Sequence, residues 1–255
     1  PMIDRDFLSL LDFPSDERKH VIKRAKSLRK QHENGEVYQP LVGKTGALIL
    51  TMSSTRTRVA FEAGFAQMGA KVIFLSPSDT QIGRGEPLED LARVLSEMVD
   101  IIMIRTGNQQ DIETLAHYAT VPVVNAMSSL LHPCQLLADM QAYEEHRGSI
   151  AGKTVTFLGD GYNMCHSYIN AAKQWNFNLR FSCPDSHQPD PSGEDRPPSP
   201  GGSRTRHVGR RRACRIAGRT TPPRSVLRSV CVAPRRPNRG TSRCRAPARP
   251  RECGC

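Results

Sequence analysis

Neither a long apolar run nor a basic-then-apolar leader is present in the 255 residues. That argues against a spanning helix and makes a cytoplasmic location the expectation. Cysteine is sparse in the first 190 residues, where Cys134, Cys165 and Cys183 sit inside apolar patterns. The remaining five (Cys214, Cys231, Cys244, Cys253, Cys255) lack the paired spacing of a metal site, so a reduced compartment is expected, without a disulfide or zinc framework. Residues 191–255 lack lysine and every aromatic residue, and hold 17 arginines, ten prolines and three acids. Their Leu, Ile, Val and Phe amount to six, too few to offset the entropy of ordering, and a disordered Arg/Pro-rich tail is expected there. The net charge of +11 belongs to that stretch, because the first 190 residues keep 19 of the 36 basic and 22 of the 25 acidic groups. The folded part is slightly acidic and offers no basic face for nucleic acid.

What is present is a regular alternation. After Phe7, Leu8, Leu10, Leu11 and Phe13, Ser15 caps a charged helix that ends near Gly35. A strand over 47–52, a helix over 56–68 and a strand over 71–75 make a βαβ unit, which requires a parallel sheet. A helix with Leu88, Leu91, Leu95 and Met98 on one face follows, then a strand over 101–104 ending in Arg105. Next come a helix over 109–118, a strand over 121–125, and a helix that His132-Pro133-Cys134-Gln135 opens and Gly148 closes. Thr154–Leu158, a helix from about Met164 to Trp175 and a strand from Asn178 to Cys183 begin a second α/β unit. The expected fold is therefore α/β with two parallel-sheet domains, 1–148 and an incomplete 149–190, followed by the tail 191–255.

The stretch Ser53-Ser54-Thr55-Arg56-Thr57-Arg58 joins the first strand to a helix N-terminus. Free backbone N–H groups, a partial positive charge, hydroxyls and two guanidinium groups make it a phosphate site. Ser54 to Thr57, Gln81, Arg105, His132 with Gln135, and Asn163 all follow a strand or open a helix, so the topology collects them at the carboxyl edge. A dianion there, beside Arg105 and His132 able to polarise a carbonyl, describes an acyl phosphate. Two other motifs carry less. Gly159-x-Gly161 has Met164 where a dinucleotide fingerprint needs its third glycine, and Gly148 to Lys153 has one residue too few for a phosphate loop and precedes its strand.

These residues, with Phe61-Glu62, Gln81-Ile82-Gly83-Arg84-Gly85-Glu86, Met103-Ile104-Arg105-Thr106, His132-Pro133-Cys134-Gln135-Leu136-Leu137-Ala138-Asp139 and Gly159-Asp160-Gly161-x-Asn163-Met164, resemble the ornithine carbamoyltransferases over about residues 3–190. The Ser-Thr-Arg-Thr element is shared with aspartate carbamoyltransferases, whereas His-Pro-Cys-Gln and Asn-Met point to the ornithine branch. The resemblance implies that Ser54, Thr55, Arg56 and Thr57 bind the phosphate of carbamoyl phosphate. Arg105, His132 and Gln135 would hold the carbamoyl end, with Pro133 and Cys134 part of the same element, Gln81 an added contact, and Asn163 at the amino-acid end of L-ornithine. Arg56, Arg105 and His132 would be the catalytic groups. It further implies no metal or organic cofactor, and a homotrimer in arginine biosynthesis.

After about residue 190 the pattern departs from that family, whose later ornithine-binding loops and final helix do not follow. A frameshift near 187–195 in GC-rich coding sequence accounts for the abrupt composition. The rival is a genuine basic tail that binds RNA or DNA, against which the missing lysine and aromatic residues argue. Two functions stand: a carbamoyltransferase, or a truncated remnant that at most binds carbamoyl phosphate. Little citrulline is expected from the chain as written.

Overall fold

The computed structural model describes residues 5–78 and 80–189 and, as backbone, 205–207 and 230–233. Ser9 caps a short 3-10 turn, Leu10–Asp12, by accepting from the Leu11 N–H, and α1 (Ser15–Glu33) follows. Four apolar runs become β1 (Thr45–Leu50), β2 (Lys71–Leu75), β3 (Ile101–Arg105) and β4 (Val123–Met127). They form one parallel sheet in the order β2-β1-β3-β4. The crossovers are α2 (Thr55–Gln67), α3 (Leu88–Ser96) and α4 (Gln109–Tyr118). With helical crossovers throughout, every strand ends on the same edge of the sheet, and that edge carries the site. The central strands are buried on both faces, through Ala47 to Leu50 in β1 and Ile102 to Ile104 in β3. At the edge, Ile73 of β2 stays 48% exposed.

Two strands lie two residues from their expected positions, each for a local reason. β1 starts at Thr45 rather than 47 because Gly46 is part of the ladder, pairing Val72 and Ile101. The Phe65 ring of α2 packs over that glycine, 2.7 Å from where a Cβ would stand. β4 starts at Val123 rather than 121 because Pro122 has no N–H to give; its carbonyl still accepts from Ile102 at 2.9 Å. The apolar stripe of α2 is also shallower than its spacing implies. No α2 residue is fully buried, and Phe61 and Phe65 rest half-buried on Leu48, Leu50 and Met103.

α5 (Pro133–Arg147) ends at Gly148, whose φ of +71° suits glycine, and leads to β5 (Thr154–Leu158), α6 (Asn163–Trp175) and β6 (Asn178–Ser182). β5 and β6 are parallel; β7 (Thr205–His207) lies parallel to β6, and β8 (Val230–Ala233) antiparallel to β5. Apart from these two short strands, the stretch expected to be a disordered tail lies outside the described residues. α6 joins the halves. Eleven of its 13 residues are buried, and one apolar cluster unites Leu10 and Ile22 with Leu136, Met140, Val155, Phe157, Tyr168 and Phe177. Polar bonds cross the same seam: Gln174 donates to the Phe13 carbonyl at 3.2 Å and Trp175 Nε1 to Glu144 at 3.3 Å, while the Arg18 guanidinium stacks 4.3 Å from the Trp175 ring centre. Among the described residues no helix is long and apolar enough to cross a membrane.

Candidate active site

Ser54 is in the extended conformation that an N-cap needs, and its Oγ accepts from the Thr57 N–H at 3.3 Å. The same hydroxyl donates to Thr57 Oγ1 at 2.9 Å, and Arg105 Nη1, arriving at the end of β3, donates to that oxygen at 3.3 Å. Thr57 Oγ1 thus accepts twice, which leaves its own proton for an acceptor in the cleft. Arg105 is held below its ordinary basicity first by burial and then by the charge of Arg56. Its Nε is buried without a hydrogen-bond partner. Two like charges, a free donor and a helix N-terminus at one place are costly to an empty protein and favourable to a dianion.

The opposite wall comes from α5. His132 is its N-cap residue, with its backbone N–H donated to Ser167 Oγ of α6 at 2.7 Å, and Pro133 follows at the first helical position. Cys134 rests against the Asn125 carbonyl, Sγ to O 3.5 Å, and burial pushes its thiol up to about 12, so it stays neutral. Gln135 Nε2 donates to Asp139 Oδ1 at 2.9 Å, and the Tyr168 hydroxyl of α6 donates to Asp139 Oδ2 at 3.0 Å. Burial, then the Asp139 charge, pushes the Tyr168 phenol up, which keeps it a donor.

Between these walls lies a cleft of about 580 Å³. Of the residues expected from the sequence, Ser54, Arg56, Thr57, Arg105, His132, Cys134 and Gln135 line it together. Thr55 and Pro133 belong to the same two helix starts without lining it. Gln81 opens a separate 3-10 turn, Gln81–Arg84, and is not among the lining residues. Asn163 is turned elsewhere: its Nδ2 donates to the Ser128 carbonyl at 2.8 Å, which steadies the loop before His132. Arg58, read above as a second guanidinium of the phosphate site, bonds Glu62 at 2.8 Å and lies 3.8 Å over the Phe74 ring instead. Two helical positions turn a side chain by about 200°, so Arg56 and Arg58 face opposite ways. Gly161 serves its own chain: a Cβ there would stand 2.1 Å from the Pro189 nitrogen, so the glycine admits the 187–189 backbone rather than a pyrophosphate.

Asp139 and Tyr168 line the cleft without having been singled out, together with an apolar wall of Phe61, Met127, Phe157 and Met164. Asp139 lies four residues after Gln135, one turn further along the same helix face, and that spacing was the available signal. Tyr168 reaches the site only through the packing of α6 on α5.

Comparison with known proteins agrees with this geometry. Residues 5–145 match the family model described as aspartate/ornithine carbamoyltransferase, carbamoyl-P binding domain. The ornithine carbamoyltransferase of Psychrobacter arcticus is 58% identical over 186 residues, which is 73% of this chain and 61% of that protein. That of Hydrogenovibrio crunogenus is 56% identical over 187 residues, covering 73% and 62%. The chain thus spans about three-fifths of the length of these relatives. Among solved structures, the ornithine carbamoyltransferase of Burkholderia thailandensis superposes with a TM-score of 0.76 at 43% identity, over 80% of this chain and 70% of that one. The Pyrococcus furiosus enzyme gives 0.73 at 39% identity, over 76% and 62%. With the phosphate-type helix start, the arginine pair and the His132 helix gathered on one sheet edge, and with matches of this length, the chain belongs to the aspartate/ornithine carbamoyltransferase family.

Proposed function

We propose that the cleft binds carbamoyl phosphate and serves carbamoyl transfer to the δ-amine of L-ornithine, giving L-citrulline and phosphate. The observation that carries this reading is the convergence of Arg56 and Arg105 on the α2 N-terminus, with Arg105 destabilised by burial and by its neighbour. A phosphate dianion relieves both. Ser54, Thr55, Arg56 and Thr57 hold the phosphate; Arg105, His132 and Gln135 take the carbamoyl end, with Pro133 and Cys134 shaping the α5 start. The neutral δ-amine attacks the carbonyl carbon, Arg105 and His132 stabilise the oxyanion of the tetrahedral intermediate, and the C–O bond to phosphate breaks as the leaving phosphate takes up the proton that the amine gives up. Orientation and preorganised charge supply the catalysis. On the same reading Gln81 adds a contact from outside the cleft, and Asn163, whose Nδ2 is held by the Ser128 carbonyl, offers its Oδ1 to the amino-acid end of L-ornithine. The same reading takes 1–148 as the carbamoyl-phosphate domain and 149–190 as the start of the ornithine domain, in a cytoplasmic homotrimer of arginine biosynthesis.

A second reading rests on one further observation, that the chain spans 61% of its Psychrobacter relative. Ser54, Arg56, Thr57, Arg105, His132 and Gln135 are gathered in the cleft, while α6 is the helix that the described part of the second unit supplies. On that reading the chain binds carbamoyl phosphate and turns over weakly. Titration with freshly dissolved carbamoyl phosphate, followed by thermal shift, and citrulline assay after addition of L-ornithine separate the two. Binding lost on Arg56→Ala, with citrulline formed, supports the transferase. Binding without citrulline supports the half-site, and absence of binding overturns both.

A further inference from the structure

A side-chain amide has two ends of nearly equal size and opposite hydrogen-bonding sense, so a glutamine reads a ligand only when something fixes which end faces it. Gln135 Nε2 donates to Asp139 Oδ1 at 2.9 Å. A carboxylate has no proton to give, so this bond holds the amide nitrogen toward Asp139 and leaves the carbonyl oxygen for a donor in the cleft. Asp139 is itself fixed, because its other oxygen accepts from the Tyr168 hydroxyl at 3.0 Å. Tyr168 is 4% exposed and comes from α6, so helices from both halves of the molecule pin one carboxylate. All three side chains line the same cleft as Arg56 and Arg105.

We propose that Tyr168 and Asp139 are positioning residues that lock the Gln135 carbonyl toward the ligand, where it reads the carbamoyl –NH2 group and selects carbamoyl phosphate over an acyl phosphate bearing a methyl in that place. This rests on the carbamoyl-phosphate reading above. The carbamoyl nitrogen offers two N–H donors, and the acetyl methyl offers none. A carbonyl oxygen locked against a methyl is desolvated without a partner, which is a strong form of discrimination. With the lock removed, the amide turns over and presents its NH2, and the preference fades.

The experiment is competition among carbamoyl phosphate, acetyl phosphate and inorganic phosphate for the full chain, for Asp139→Asn and for Tyr168→Phe. In Asp139→Asn the new side-chain amide gives to the Gln135 oxygen as readily as it takes from the nitrogen, so it releases the lock while keeping the shape. The expected result is a carbamoyl-over-acetyl preference that falls about fivefold in Asp139→Asn, the factor of one neutral hydrogen bond, and about twofold in Tyr168→Phe. Inorganic phosphate affinity stays unchanged, because its contacts are at the α2 N-terminus. A preference unchanged in Asp139→Asn, or three affinities falling in parallel, overturns the lock. A wild-type chain that binds neither acyl phosphate overturns the functional reading first and the lock with it.

Discussion

A guanidinium at the end of a buried strand, bonded to the Thr57 hydroxyl and facing a second arginine, opposes folding of the empty chain and favours an anion. Removing the Arg105 charge should therefore move stability and binding in opposite directions. Arg105→Met keeps the length of the stem and drops the charge. The ligand-free variant is expected to be at least as stable as the wild type, with solvent screening of the partly exposed guanidinium and the lost Thr57 bond keeping any gain small. Its affinity for carbamoyl phosphate is expected to fall roughly tenfold to a hundredfold, the range for hydrogen bonds to a charged group. Thermal shift with and without ligand measures both. A variant that loses stability and affinity together would assign Arg105 to the framework instead.

At the scale of elements, the position of α2 decides whether its N-terminus reaches the ligand, and Gly46 decides the position of α2. A methyl at Gly46 meets Phe65 Cε1 at 2.7 Å and Met103 Cε at 3.1 Å, so Gly46→Ala has to lift the helix from the sheet or displace a core methionine. The expected cost is about 1–3 kcal/mol, typical of overpacking, with weaker phosphate binding as the Ser54–Thr57 turn shifts. Denaturant melts and phosphate titration test it; a stable variant with full affinity would show that α2 is free to slide. The same glycine marks what periodicity could and could not read. Alternating apolar runs located the strands and the α-helices named between Ser15 and Ser182, because their patterns are local, although Ser15 opens α1 as its first residue and does not cap it. The offsets at β1 and β4 arose at Gly46 and Pro122, where a tertiary contact and a missing N–H decide the boundary. In the site, Ser54, Thr57, Arg105 and His132 were legible because a parallel sheet brings strand ends and helix starts to one edge. Asn163 sits at a helix start yet spends its amide on the Ser128 carbonyl, and Tyr168 enters the cleft from α6. Neither direction is written in the spacing, since both depend on how α6 packs against α5.

For the whole molecule, the question is whether β5, α6 and β6 fold by themselves or only on the first sheet. Their apolar residues Val155, Phe157, Tyr168, Phe177 and Leu179 share one cluster with Phe7, Leu10 and Ile22 from before the first sheet and with Leu136 and Met140 from α5. Val124 of β4 packs against that cluster and against the Leu48–Met103 cluster of the first sheet. Apolar contact therefore runs without a break from one sheet to the other; the first unit also has a core of its own through Ala47, Leu91, Ile102, Ile112 and Leu115, whereas the second shares its core with the first. Opening the seam exposes Trp175 and also breaks polar pairs that cross it, among them Arg18 with Gln174 and Trp175 with Glu144. Detaching the second unit thus exposes shared core on both sides of the seam, which couples its unfolding to that of the first. Trp175 is the one tryptophan in the chain and lies in the seam, so it reports on this directly. In urea, the tryptophan fluorescence transition and the far-ultraviolet circular dichroism transition are expected to share one midpoint, and Gly46→Ala should shift both equally although it lies in the far sheet. A fluorescence change that precedes the loss of helix would mean that the second unit detaches first, and that Ser167 and Tyr168, which steady His132 and Asp139, hold them only while it stays docked.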